Sequence, residues 1–201
     1  MRERTLSSRV LHHFVSALDS DLGQENLSTV LAKAGLPSDW SDPTRGEALT
    51  GTTAAETYAG LQKAIRTYYG RGARGILIRV GGTLWKRLLE DAPLALKAQI
   101  KLLRGLPVNA RRKLALELLA KLLGDQRGDL TVHPLDLDLL LADHASPGTL
   151  GQSEPARICY VTLGLLRECL FWATRQEHDI EETSCRSKGD EACEFKIIVT
   201  R

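Results

Sequence analysis

The chain has 201 residues and a mass of 22.1 kDa, with 27 basic and 25 acidic residues for a net charge of +2. Hydrophobic residues make up 43% and charged residues 26%, a globular balance that excludes wholesale disorder. No run approaches the ~20 apolar residues of a membrane span, the near-neutral charge gives no broad footprint for nucleic acid, and four cysteines are too few for a disulfide scaffold. The segment after Arg2, Arg4 and Arg9 is broken by His12, His13, Ser16 and Asp19. That is not a secretory signal, so a cytoplasmic location with reduced thiols is expected.

Taken in chain order, Leu6, Val10, Leu11, Phe14, Val15 and Leu18 repeat at helical spacing and predict a helix over residues 4–22. A second short helix is predicted over 25–34, ended by Gly35 and Pro37. Residues 37–51 are rich in Asp, Ser, Pro and Gly and read as a loop. Residues 1–50 therefore read as an N-terminal helical extension, with Leu6, Val10, Phe14 and Leu18 as the seam of a homodimer. The main domain is expected over 51–201.

That domain opens on a helix capped at Thr52 or Thr53, where Glu56 completes capping-box spacing and Tyr58, Leu61, Ile65 and Tyr68 continue the stripe. Gly70-Arg-Gly72-Ala-Arg-Gly75 fits G-x-G-x-x-G. A dinucleotide loop needs a preceding strand; here the preceding segment is helical, so the motif reads as a helix–helix turn. Helices follow over 76–89, 94–103 and 110–123. Strands are predicted over 129–133 and 135–141, then a helix from Pro155 to about Arg175, and two strands over 180–184 and 194–200 around a Gly189-Asp190 turn. The fold class is α+β: a helical part packed on a small antiparallel sheet, with a crossover helix and a C-terminal hairpin.

The residues that carry chemistry lie near the C-terminus. Glu182-x-x-Cys185-x7-Cys193 sits on the hairpin, with Cys159 upstream on the helix. Three thiolates and a carboxylate suit a four-coordinate zinc, yet spacing alone fits buried free thiols better. Cys169, ten residues past Cys159 on the same helix, reads as a core thiol.

The stretch from His178 through Glu182, Cys185, Gly189-Asp190, Cys193 and Phe195 to Ile197 resembles the closing signature of the 4-vinyl reductase domain family. That family is similar in fold to haem–nitric-oxide-binding domains and to Golgi-transport tethering subunits. It includes a chlorophyll-biosynthesis protein and the sensor domains of aromatic-responsive bacterial transcription activators. The resemblance is specific over 155–199 and looser over 53–143. It implies a structural zinc on Cys159, Glu182, Cys185 and Cys193. It also implies a small hydrophobic or aromatic ligand between helices and sheet, for which Tyr58, Tyr68, Trp85, Tyr160, Phe171 and Trp172 are the candidate lining. The histidine–tryptophan pair by which some family sensors hold a phenol has no counterpart near His133 or His144. The Tyr-x-Ser-x-Arg triad of haem binders has none either.

The chain contains no G-x-S-x-G, H-E-x-x-H or P-loop motif. A non-catalytic, sensor-type binding module acting on a signalling partner is therefore the leading reading. An enzyme or accessory of vinyl-tetrapyrrole reduction and a ligand-free scaffold are the alternatives. The basic stretch Lys101, Arg104, Arg111, Arg112, Lys113 and Lys121 lacks interleaved aromatics and reads as a solvated helix face rather than a nucleic-acid contact.

Overall fold

The computed structural model describes residues 4–103 and 105–199. Residues 1–3, Arg104 of the basic stretch, Thr200 of the last expected strand and Arg201 lie outside the described residues.

The architecture is α+β. Helices α1 (Ser8–Leu22), α2 (Gln24–Ala34), α3 (Pro43–Ala48), α4 (Gly51–Tyr69), α5 (Ala73–Glu90), α6 (Leu94–Leu103) and α7 (Val108–Leu123) precede strands β1 (Leu130–Leu135) and β2 (Asp138–Asp143). Helix α8 (Tyr160–Thr174) then crosses to β3 (Asp179–Ser184) and β4 (Cys193–Ile198). The sheet order is β1-β2-β4-β3, antiparallel throughout. No described helix is long and apolar enough to cross a membrane.

Several boundaries differ from expectation, each for a local reason. Leu6 pairs with Gly51 in a two-residue bridge, so α1 starts only at Ser8, where the Ser7 hydroxyl accepts from the Val10 amide at 3.4 Å. The expected 37–51 loop contains α3, which opens on Pro43, the ring's preferred helical position. Helix α4 begins at Gly51, which leaves the Thr53–Glu56 capping box inside it. Leu135 ends β1 and residues 136–137 form the tip before β2, with Asp136 at φ 52°, so the alternating stretch does not start a strand at Leu135. The Gly70–Gly72 segment is a single 3-10 turn between α4 and α5, as the helical context required.

Gly81 and Gly82 do not break α5. A Cβ on Gly81 would lie 2.2 Å from the Val161 carbonyl oxygen, and one on Gly164 would lie 2.1 Å from that of Ile78. The two glycines let α5 and α8 touch backbone to backbone. Helix α8 is consequently buried on most sides, with Val161, Leu163, Leu165, Leu166, Leu170 and Ala173 all in the core.

Leu6, Val10, Phe14 and Leu18 are buried in the chain's own core, where α1 packs on α4 and α5. The expected dimer seam is therefore internal: the stripe is genuine, but its partner is the same chain. The exposed large apolar side chains lie elsewhere, most prominently Leu94 and Leu102 on α6 and Leu137 on the β1–β2 tip.

Candidate metal centre

Three separate segments deliver the four expected ligands to one point. Helix α8 starts at Tyr160 rather than near Pro155, which leaves Cys159 at its N-cap. The extended segment before it is held to the ribbon: the Glu154 amide donates to the Ser187 carbonyl at 2.9 Å, and the Arg157 guanidinium donates to the Thr183 carbonyl at 2.9 Å.

On the ribbon, Glu182 opposes Phe195 and Ser184 opposes Glu194, so Thr183 is an extra, bulged residue. In a regular strand residues three apart face opposite sides. One extra residue reverses that parity, which brings Glu182 and Cys185 to the same side. Cys193 lies two residues before Phe195 and so shares the inner face with it.

The Sγ atoms of Cys159 and Cys193 are 3.3 Å apart, those of Cys159 and Cys185 3.7 Å, and those of Cys185 and Cys193 3.9 Å. With a Glu182 carboxylate oxygen, all four donor atoms lie within 4.8 Å of one another. A tetrahedron with bonds of about 2.3 Å to sulfur has edges of about 3.8 Å, close to these sulfur–sulfur separations. All four residues are buried, and Glu182 Oε1 has no hydrogen-bond partner. Such an orphaned oxygen is costly to bury unless something coordinates it.

The surrounding hydrogen bonds hold the sulfurs in place. The Arg186 amide donates to Cys193 Sγ at 3.3 Å, the Ser146 hydroxyl lies 2.9 Å from the same sulfur, and Ser187 Oγ lies 3.1 Å from Cys185 Sγ. Asp190 Oδ2 accepts from the Cys185 amide at 2.7 Å and closes the turn. The Arg186 guanidinium donates to the His144 and Ala145 carbonyls at 2.5 and 3.1 Å, so the loop carrying Ser146 is tied to the ribbon. Hydrogen bonds from Cys159 and Cys193 draw the Cys185 thiol far below its ordinary range, while the Cys159 thiol is driven up by the protons it gives Cys185 and Cys193. Burial pushes the Glu182 carboxyl up to about 8. A cation bound here would displace these shared protons, as metal binding to thiols does. Cys169 stands apart, its thiol on the Ala115 carbonyl at 3.3 Å against α7, a core thiol as expected.

The six aromatic candidates are not brought together. Tyr58 is buried edge-on to Phe14, Trp85 is fully buried edge-on to Trp172, Tyr160 lies under Arg74, and Tyr68 and Phe171 are exposed. Only Tyr58 among them borders the small cavity beside Cys159, of about 30 Å³. Gln62, Asp143, Ser146, Cys159 and Thr162 also border it. Its volume suits about one water molecule. Apolar stripes with aromatic rings thus signal core here, not a shared pocket.

Sequence reasoning missed Asp143, Ser146 and Arg186, whose roles depend on tertiary placement, and read Asp190 only as a turn residue. Burial raises the Asp143 carboxyl to about 6, offset in part by the Ser146 amide, which donates to Oδ1 at 2.6 Å. In the unfolded chain this group titrates near 3.9. Between those values the folded form holds more protons, so stability falls as pH rises and the loss is complete above about pH 6. Asp143→Asn keeps an acceptor for the Ser146 amide. It is expected to raise stability at pH 7 by up to about 3 kcal/mol and to change little at pH 4. Urea melts of variant and parent at both pH values check this; equal gains at both would contradict it.

No protein-family model and no curated protein sequence matches the chain. Solved structures do share its fold. A crystal structure of an H-NOX protein from S. oneidensis in the Fe(II)NO ligation state aligns with a TM-score of 0.56 at 12% identity, covering 97% of this chain and 99% of that one. A structure from work on modulating haem redox potential through porphyrin distortion gives 0.54 at 14%, covering 95% and 98%. One from a study of haem distortion in the H-NOX family gives 0.54 at 14%, covering 94% and 92%. At such identities the likeness establishes the fold alone.

Proposed function

We propose that this chain is a non-catalytic, sensor-type binding module of the 4-vinyl reductase kind, whose C-terminal ribbon is clamped to α8 by a structural zinc. The observation that carries the reading is the convergence of Cys159, Glu182, Cys185 and Cys193 within 4.8 Å from three segments, with spacings suited to tetrahedral zinc. Three thiolates and one carboxylate fill four positions and leave none open for substrate, so the ion's role is structural. The residues fit the ion: the carboxylate oxygen has no other partner, and the sulfurs already accept or exchange hydrogen bonds.

The ligand's place in this reading is the cavity next to Cys159. It is bounded by Val10 of α1, by Tyr58 and Gln62 of α4 and by the 143–148 loop. That loop contacts Cys193 through Ser146, so occupancy and the ribbon would be mechanically linked, which is what a sensor needs. Element analysis with X-ray absorption at the metal edge tests the clamp, with one zinc per chain in an S3O shell expected. Protein that carries no metal even after refolding with zinc overturns it. Thermal-shift screening against phenols and small hydrocarbons tests the ligand. Uniform absence of a shift would favour the ligand-free scaffold, which the filled core also suits.

Haem, the subject of the work on two of the fold neighbours, does not fit. A cofactor-sized ligand needs about 300 Å³ or more; the cavity between helices and sheet beside Tyr58 offers about 30 Å³, and no histidine lines the larger surface grooves. The histidines are occupied elsewhere: His12 contacts the Pro43 carbonyl, His13 contacts Asp91, His133 and His144 contact Thr131, and His178 contacts Arg112. The cavity beside Tyr58 is likewise too small for a tetrapyrrole substrate. Titration with hemin is expected to give no saturable Soret shift; a sharp one-to-one band lost on replacing a histidine would overturn this.

A further inference from the structure

Arg112 was expected on a solvated face, yet its relative exposure is 8%. Its Nε donates to His178 Nε2 at 3.0 Å, and its terminal nitrogens donate to Asn109 Oδ1 at 2.8 Å and Gln176 Oε1 at 3.1 Å. All three acceptors are neutral. His178 Nδ1 lies 3.0 Å from the Gln176 carbonyl, which takes the ring proton and leaves Nε2 as the acceptor. Among the described residues no carboxylate oxygen lies within 4.0 Å of the guanidinium. A guanidinium carries five N–H donors, and three are used. Buried charges are normally paired; this one is fixed in orientation and has no counter-charge.

Two further observations converge on it. Helix α7 starts at Val108 after Pro107, and no side chain caps its first-turn amides, so a positive helix end faces outward. Beside it runs a groove of about 760 Å³ bounded by Val108, Asn109 and Arg112 on one side and by Leu137, Leu139 and Val199 on the other.

We propose that this groove binds a small carboxylate with an apolar tail. The carboxylate would sit on Arg112 and the start of α7, and the tail on Leu137, Leu139 and Val199. Asp136, Asp138 and Glu177 on the rim repel a phosphate dianion more than a single carboxylate. Asp138 is already held by Lys196 at 3.1 Å and by the Val199 amide at 3.0 Å. The inference does not depend on the metal centre, which lies on other residues.

Calorimetric titration of the full chain with octanoate, octanol and inorganic phosphate tests it. Saturable one-to-one binding of octanoate is expected, with octanol at least tenfold weaker and no displacement by phosphate. Arg112→Gln is expected to weaken octanoate binding at least tenfold. Leu137→Asp, at a residue 63% exposed and outside the buried core, should weaken it likewise. Absence of octanoate binding, octanol binding as tight as octanoate, displacement by phosphate, or full affinity in the Leu137 variant would overturn the proposal.

Discussion

Replacing Cys185 with serine is expected to strip the metal from the purified protein and to lower its melting temperature by about 8–16 °C. The size follows from linkage. Zinc present at a thousandfold excess over its dissociation constant stabilises the folded form by about 4 kcal/mol. For a chain of this length each kcal/mol moves the midpoint by about 2–4 °C. Cys185 is the sulfur already nearest to thiolate, with its neighbours' protons and Ser187 around it, so its loss removes more than one quarter of the site. Differential scanning calorimetry with parallel metal analysis checks both parts. Cys169→Ser supplies the contrast, since that thiol faces α7 and its loss should leave the metal in place. Equal metal content in parent and Cys185→Ser would remove the clamp from the account.

The second large effect is expected at the helix crossing. Gly164→Val should destabilise the protein by at least about 3 kcal/mol, the upper end for overpacking. The added Cβ meets the Ile78 carbonyl oxygen and its backbone neighbours, not the flexible end of a side chain. The two helices can relieve that overlap only by moving apart, which uncovers Leu77, Val80 and Leu84 on α5. Gly72→Val is the control, because a Cβ there meets nothing within 4 Å. Urea unfolding of the two variants checks the difference; similar midpoints would show that the crossing is looser than described.

Much of the fold was legible because long amphipathic helices announce themselves by period. The stripe of α1, the glycine stop of α2 and the turn at Gly70 were all readable, and so was the sheet class. Periodicity reports that a face is covered, not what covers it. For that reason Leu6, Val10, Phe14 and Leu18 looked like a dimer seam and proved to be core. The aromatic residues misled for the same reason: Trp85 and Trp172 meet each other, while Tyr68 and Phe171 face solvent. In the leucine-rich 135–141 stretch, alternation cannot separate a strand from a hairpin tip.

The four candidate ligands were named by residue type and resemblance, and the structure brings all four together. The means of convergence was hidden. A bulge at Thr183 has no sequence mark, and the non-helical Cys159 depends on contacts with Ser187 and Thr183 that lie over 20 residues away. The buried state of Arg112 was hidden too, since two of its three acceptors, Gln176 and His178, come from the loop that follows α8.

The sheet order has a consequence for synthesis on the ribosome. Strand β4 is the last of the four to be made, yet it lies between β2 and β3. Until it emerges, β2 has one open flank and β3 has no neighbour at all. Translation proceeds at roughly 5–20 residues per second, so the nascent chain passes seconds with those backbone groups exposed to other polypeptides. A holdase that shields extended segments would therefore matter most in that interval, just before the final strand slots into the gap.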